Sequence, residues 1–178
     1  AELPASMKTG AVPRALDVFS ESGRYRAFLG AVNAYLRWAG RDLLSRVALP
    51  PIRSILVGSM GVSFSAAVLD RFPDSRVTYG CLPHLAREIP ALCELYRVPR
   101  KRIDGVHSHG GEPEQDRWGE PPFDLVFLTK KMILEPEAQL GLRFARKAFE
   151  VLAPGGVTIL WETVHTDRGP TPLPRAME

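Results

Sequence analysis

The sequence predicts an α/β fold: a doubly wound, mainly parallel sheet with helices leading into it. Two observations predict it. Short apolar runs, each closed by glycine or a turn, alternate five times with helical patterns, and one of them, Phe123-Asp124-Leu125-Val126-Phe127-Leu128-Thr129, is almost wholly apolar. Strands covered by helices on both faces read in this way, whereas half-exposed strands alternate apolar with polar residues. The 178 residues, 45% apolar and 24% charged, suit a single core.

From Arg24 to Ala39, the residues Tyr25, Phe28, Leu29, Val32, Leu36 and Ala39 recur at helical spacing. Gly40 separates them from a second short helix over Arg41 to Val47, and Pro50-Pro51 breaks the chain. Residues 1–50 are therefore expected as a helical lead-in and 51–178 as the core. Ser54 to Gly58 reads as the first strand, a Ser/Gly turn follows, and Phe64 to Phe72 is helical. Arg76 to Gly80 is the second strand, Pro83 opens a helix to about Tyr96, and Arg102 to Val106 is a weaker third strand. His107 to Pro122 is polar, rich in Gly, Glu and Pro, and too long for an ordinary connection, so a mobile or ligand-facing loop is expected. After the fourth strand, Met132 to Leu152 is a helix, Ala153-Pro154-Gly155-Gly156 stops it, and Val157 to Glu162 is the fifth strand. In such sheets ligands bind beyond the carboxyl ends of the strands.

Composition narrows the function. Lys and Arg total 23 against 20 acidic residues, and the excess is scattered, which argues against a nucleic-acid partner. The one basic run, Arg97-Val98-Pro99-Arg100-Lys101-Arg102, lies between a helix and a strand; a solvated turn is the plainer reading and an anion site the sharper. Cys81 and Cys93 fall in different elements with no secretory segment ahead of them, so a reducing, cytoplasmic setting is expected. No apolar stretch approaches the roughly 20 residues that span a bilayer, and no membrane partner is expected. Cys81, His107 and His109 near strand ends match no standard zinc spacing, so no metal is expected.

Three strings carry a resemblance: Phe72-Pro73-Asp74-Ser75-Arg76-Val77-Thr78 into Leu82-Pro83-His84; Phe123-Asp124-Leu125-Val126-Phe127-Leu128; and Leu152-Ala153-Pro154-Gly155-Gly156-Val157 through Leu160-Trp161-Glu162 to Pro170-Thr171-Pro172. With the order of elements, they resemble the catalytic domain of class I S-adenosylmethionine (SAM)-dependent small-molecule O-methyltransferases, from about residue 15 onward. The resemblance implies a Rossmann-like methyltransferase core without the family's winged-helix dimerisation domain or its last strands. It also implies SAM as cofactor and a small-molecule hydroxyl as substrate.

The implied cofactor-binding positions are Gly58, Ser59, Gly61, Cys81, His109 and Lys130, with Glu162 at the catalytic carboxylate position. Glycine at 58 and 61 lets backbone approach the cofactor, because no Cβ intervenes. Elsewhere the sequence departs from the family. Leu56 stands for an acidic residue, Ser59, Met60 and Val62 for small ones, and Cys81 for the carboxylate that accepts both ribose hydroxyls. Ile133 stands for the histidine base and cannot take a proton. Glu162, which would orient that histidine, is expected to face Lys130 instead. These departures lead to the expectation of an O-methyltransferase-like domain of specialised metabolism with impaired or lost methyl transfer. The alternatives are a non-catalytic pseudo-methyltransferase whose exposed sheet edge is covered by a protein partner, and an enzyme that reuses the old cleft for other chemistry on a small molecule.

Overall fold

The computed structural model describes residues 22–58, 61–108, 116–129 and 138–161. Five parallel strands form one sheet in the order β3-β2-β1-β4-β5: β1 Ser54–Gly58, β2 Arg76–Cys81, β3 Ile103–Ser108, β4 Phe123–Thr129 and β5 Leu152–Trp161. The helices are α1 Ser22–Arg46, α2 Val62–Arg71, α3 Pro83–Ala86, α4 Ile89–Leu95 and α5 Ala138–Glu150, and a 3₁₀ turn over Arg100–Arg102 leads into β3. The expected α/β, doubly wound parallel sheet is thus the observed one.

Side chains leave the sheet alternately, and each face has its own core. Ile55 and Val57 of β1, Val77 and Tyr79 of β2, and Leu125 and Phe127 of β4 join α1, α2 and α4 in the larger cluster. Leu56, Val126 and Leu128 face the other way, against Trp118 and the α5 residues Phe144 and Ala148. At the amino ends of the central strands, Asp124 Oδ2 accepts the backbone N–H groups of Arg53 and Ser54 at 2.8 and 2.9 Å. The aspartate of the Phe123-Asp124 string therefore ties β4 to the start of β1, remote from the carboxyl ends.

Three boundaries differ from those expected. Helix α1 runs unbroken through Gly40, because a Cβ there would lie 3.0 Å from Phe64 Cδ2; the glycine admits α2 rather than ending α1. The helix expected from Pro83 to Tyr96 is two, parted at Arg87 and Glu88, with proline near the start of each. Strand β5 begins at Leu152 rather than Val157. Phe123 pairs with Leu152 but Leu125 with Val157, so Ala153 to Gly156 bulge within the strand, with Gly155 in the left-handed region at φ +78. The Trp118 segment, expected within a mobile or ligand-facing loop, packs into the second core: Trp118 is 3% exposed and stacks on Phe144. No helix among the described residues is long and apolar enough to cross a membrane.

Candidate active site

Strand order reverses beside β1, whose neighbours are β2 and β4. A crevice is therefore expected beyond the carboxyl ends of β1 and β4, where the connections diverge to opposite faces. Gly58 ends β1 and pairs with Leu128 of β4. After the turn, Gly61 is the residue before α2, with φ −85 and ψ 45, a conformation open to any residue. Glycine is needed there for space: a Cβ would stand 2.8 Å from Phe127 Cε1. The Phe127 ring stacks on Phe64, with centroids 3.7 Å apart. Gly61 thus fits against an aromatic floor supplied by β4 and α2.

The first turn of α2 is buried, and one of its exposed-donor problems is solved from α1. Asn33, fully buried, accepts the Ser63 N–H at Oδ1 at 2.9 Å, and its carbonyl accepts the Ser63 hydroxyl at 2.6 Å. Its amide donates back to the Leu29 carbonyl at 3.0 Å. A helix N-terminus attracts acceptors through its unpaired N–H groups, and here the Ser63 N–H is already engaged by the protein. Further into the helix, the Ser65 hydroxyl shares a 2.7 Å hydrogen bond with the Tyr79 hydroxyl.

Cys81 closes β2 with its side chain on the larger core's face, 1% exposed. Burial pushes its thiol up to about 12, so it is neutral at ordinary pH. Burial likewise pushes the hydroxyl of Tyr25 on α1 up to about 12, with lesser contributions from the neighbouring Cys81 and Glu88. Its ring meets His84 of α3 edge-on at 5.2 Å. Tyr25, Cys81 and His84 therefore converge at the carboxyl end of β2. Neither Tyr25 nor Asn33 was singled out as a site residue from sequence. Tyr25 reads as one member of an apolar helical stripe, and the signal that could have found Asn33 is an asparagine, a poor helix former, inside that helix.

Of the positions expected to hold cofactor, the structure brings Gly58 and Gly61 to the end of β1 and Cys81 to the end of β2. Ser59, His109 and Lys130 lie outside the described residues, as do Ile133 and the catalytic-position Glu162. His107 lies on β3 opposite Gly80, folded back so that its Nε2 would be 2.7 Å from a Cβ at Gly105. Trp161 is half-buried and meets Tyr35 edge-on.

This architecture matches solved structures. An O-methyltransferase family protein from Burkholderia thailandensis aligns with a TM-score of 0.74 and 18% identity, over 96% of this chain and 52% of that one. The chain has the O-methyltransferase fold. Human N-acetylserotonin methyltransferase, solved in complex with SAM, aligns with a TM-score of 0.69 and 16% identity over 97% of this chain and 50% of that one. Mitomycin 7-O-methyltransferase gives 0.69 and 18% over 94% and 50%. The chain spans about half the length of these O-methyltransferase structures. No family profile matches the sequence, and no curated protein matches it.

The fit of SAM to this version of the O-methyltransferase fold divides in two. In the turn, Gly58 and Gly61 keep two positions free of a Cβ, while Ser59, Met60 and Val62 stand where the resemblance implies small residues. At the position where the resemblance implies the ribose acceptor the residue present does not fit: a pair of hydroxyls calls for a paired acceptor, and Cys81 offers a buried, neutral thiol. Substituting a thiol for a carboxylate forfeits bonds of about 1.5–3 kcal/mol each.

Proposed function

We propose that the chain is an O-methyltransferase-like domain of small-molecule metabolism in which SAM binding is weakened and methyl transfer is impaired or lost. The observation that carries this reading is Cys81: at the end of β2 the chain presents a thiol turned into the core where the fold would need an exposed carboxylate. Ile133, in place of a proton-accepting histidine, supports it from sequence. The solved neighbours, one of them holding SAM, support the ancestry of the cleft.

Titration calorimetry of the chain with SAM and with S-adenosylhomocysteine, up to millimolar concentration, tests the reading. Binding weaker than about 100 μM, or none, is expected, since two lost charge-assisted bonds reduce affinity by about two orders of magnitude or more. A dissociation constant near 1 μM together with methyl transfer to a phenol would overturn it.

A second reading, a pseudo-methyltransferase that serves as an assembly partner, is favoured by one feature. Among the described residues β5 has a single neighbour, β4, and Leu160 on β5 and Phe149 on α5 are 51% and 79% exposed. An open strand edge with apolar residues around it is a surface that a further strand would cover. Light scattering at increasing concentration checks this: a particle that stays monomeric and shows no added association partner in a stoichiometric mixture with its candidate would count against it.

A further inference from the structure

The basic run Arg97 to Arg102 lies away from the carboxyl ends of the strands. It lies at the other end of the sheet, where the 3₁₀ turn Arg100–Arg102 enters β3 and Pro73 precedes β2. There the structure joins it to α1 around a single concavity of about 410 Å³. Five cations line this cavity, Arg37, Arg41, Arg97, Lys101 and Arg102, against one carboxylate, Asp70. Arg41 is held by Asp70 at 2.8 Å, and Arg102 lies 3.6 Å from Asp74. Among the described residues, no ion pair engages Arg37, Arg97 or Lys101. Like charges gathered without partners repel one another, so the arrangement is one that a bound anion would relieve.

The backbone adds an independent observation. Arg97 sits at φ +59, a left-handed conformation that arginine adopts at a cost of about 1 kcal/mol or more and glycine adopts freely. It closes α4: the Val98 N–H reaches back to the Cys93 carbonyl at 2.8 Å. The position is thus one where glycine would serve the fold better, yet it carries a guanidinium on the rim of the cavity. Beside it, the half-buried Tyr96 forms a wall, its hydroxyl donating to the Gly30 carbonyl at 3.4 Å, and Pro73 and Pro99 stiffen the floor.

We propose that this cavity binds a compact polyphosphate-bearing small molecule. Several guanidinium forks with a lysine match phosphate oxygens, which accept paired hydrogen bonds. The volume lies in the range of small-molecule sites. Asp70 in the lining and Asp74 beside Arg102 interrupt the basic field, which suits a compact anion and opposes a long nucleic-acid backbone.

Titration calorimetry of the full chain with sodium tripolyphosphate, and separately with inorganic phosphate, tests the proposal at two salt concentrations. Tripolyphosphate is expected to bind at least about tenfold more tightly than phosphate and to weaken as salt rises, because several charges act together. Lys101→Glu and Arg37→Glu, both exposed positions, should each weaken tripolyphosphate at least about tenfold without changing the melting temperature by more than about 2 °C. Arg97→Gly separates binding from folding: it should raise the melting temperature by relieving the left-handed strain while weakening tripolyphosphate by about fivefold or more. No heat with 1 mM tripolyphosphate, or affinities unchanged in these variants, would overturn the proposal. So would tighter binding of a single-stranded oligonucleotide than of tripolyphosphate, which would make the patch a nucleic-acid surface.

Discussion

Asn33, in the middle of α1, holds the first turn of α2: its Oδ1 accepts the Ser63 N–H at 2.9 Å and its carbonyl accepts the Ser63 hydroxyl at 2.6 Å. The contact joins the lead-in helix to the turn where the cofactor would lie in an O-methyltransferase fold. Residues before the first strand therefore hold the start of α2, beside the carboxyl end of β1.

Replacing Asn33 with leucine keeps the branched shape, adds some bulk and removes the acceptor, leaving the Ser63 N–H buried and unpaired. The expected loss is about 2–3 kcal/mol, or about 4–12 °C in melting temperature for a chain of this size. Ser63→Ala should cost less, since it removes one hydroxyl and leaves the N–H bond in place. Scanning calorimetry of the two variants checks the order, and a larger loss in Ser63→Ala would contradict the role given to Asn33.

Both cysteines are buried, and burial raises both thiols, Cys81 to about 12. At pH 8 the thiolate fraction of Cys81 is then about 10⁻⁴. Ellman's reagent should modify the folded chain at least about 100-fold more slowly than the chain in guanidinium. Rapid modification of one thiol under native conditions would mean that the end of β2 is open to solvent, and would remove the main argument against a ribose site there.

Much of the sheet was legible because each strand is a compact apolar run between turn residues, and a parallel strand buried on both faces leaves that mark. Strands β1 and β4 fall where expected, at Ser54–Gly58 and Phe123–Thr129. The errors came from glycine and proline, whose local meaning as breakers was outweighed by packing. Gly40 admits Phe64, and Pro154 and Gly155 bulge inside β5 without ending it. Within the site, the glycines and Cys81 could be placed from the strand-turn-helix grammar. Asn33 and Tyr25 could not, because their partners lie 30 or more residues away in elements whose approach depends on the tertiary fold.

Tyr25 and Cys81 also set an alkaline limit on stability. Both are acids whose neutral forms the fold favours, with folded values near 12 against ordinary values of about 10 and 8.5. Below the ordinary values both are protonated in either state, and their contribution is complete. As pH rises from about 8.5 toward 12 the unfolded chain releases protons that the folded chain retains, so stability falls. The urea midpoint should drop steadily between pH 8.5 and 10.5, more gently in Cys81→Ala, which removes one of the two buried thiols that titrate first. A midpoint that stayed level across this range would show that neither group is shielded from water.

The aromatic floor beneath Gly61 makes a prediction about space. Gly61 has an ordinary φ of −85, so alanine meets no backbone strain there, only the Phe127 ring 2.8 Å away. Gly61→Ala should therefore destabilise the chain by about 1–3 kcal/mol through overpacking alone. Phe127→Leu should itself be costly, since the ring is fully buried and stacked on Phe64. In the double variant the leucine leaves room for the new methyl group, so the two losses should sum to more than the loss observed, with a coupling of about 1 kcal/mol or more. Urea unfolding of the four proteins gives the coupling directly. Simple additivity would mean that the turn shifts away from Phe127 at little cost, and that the approach of Gly61 to β4 is not what keeps this position free of a side chain.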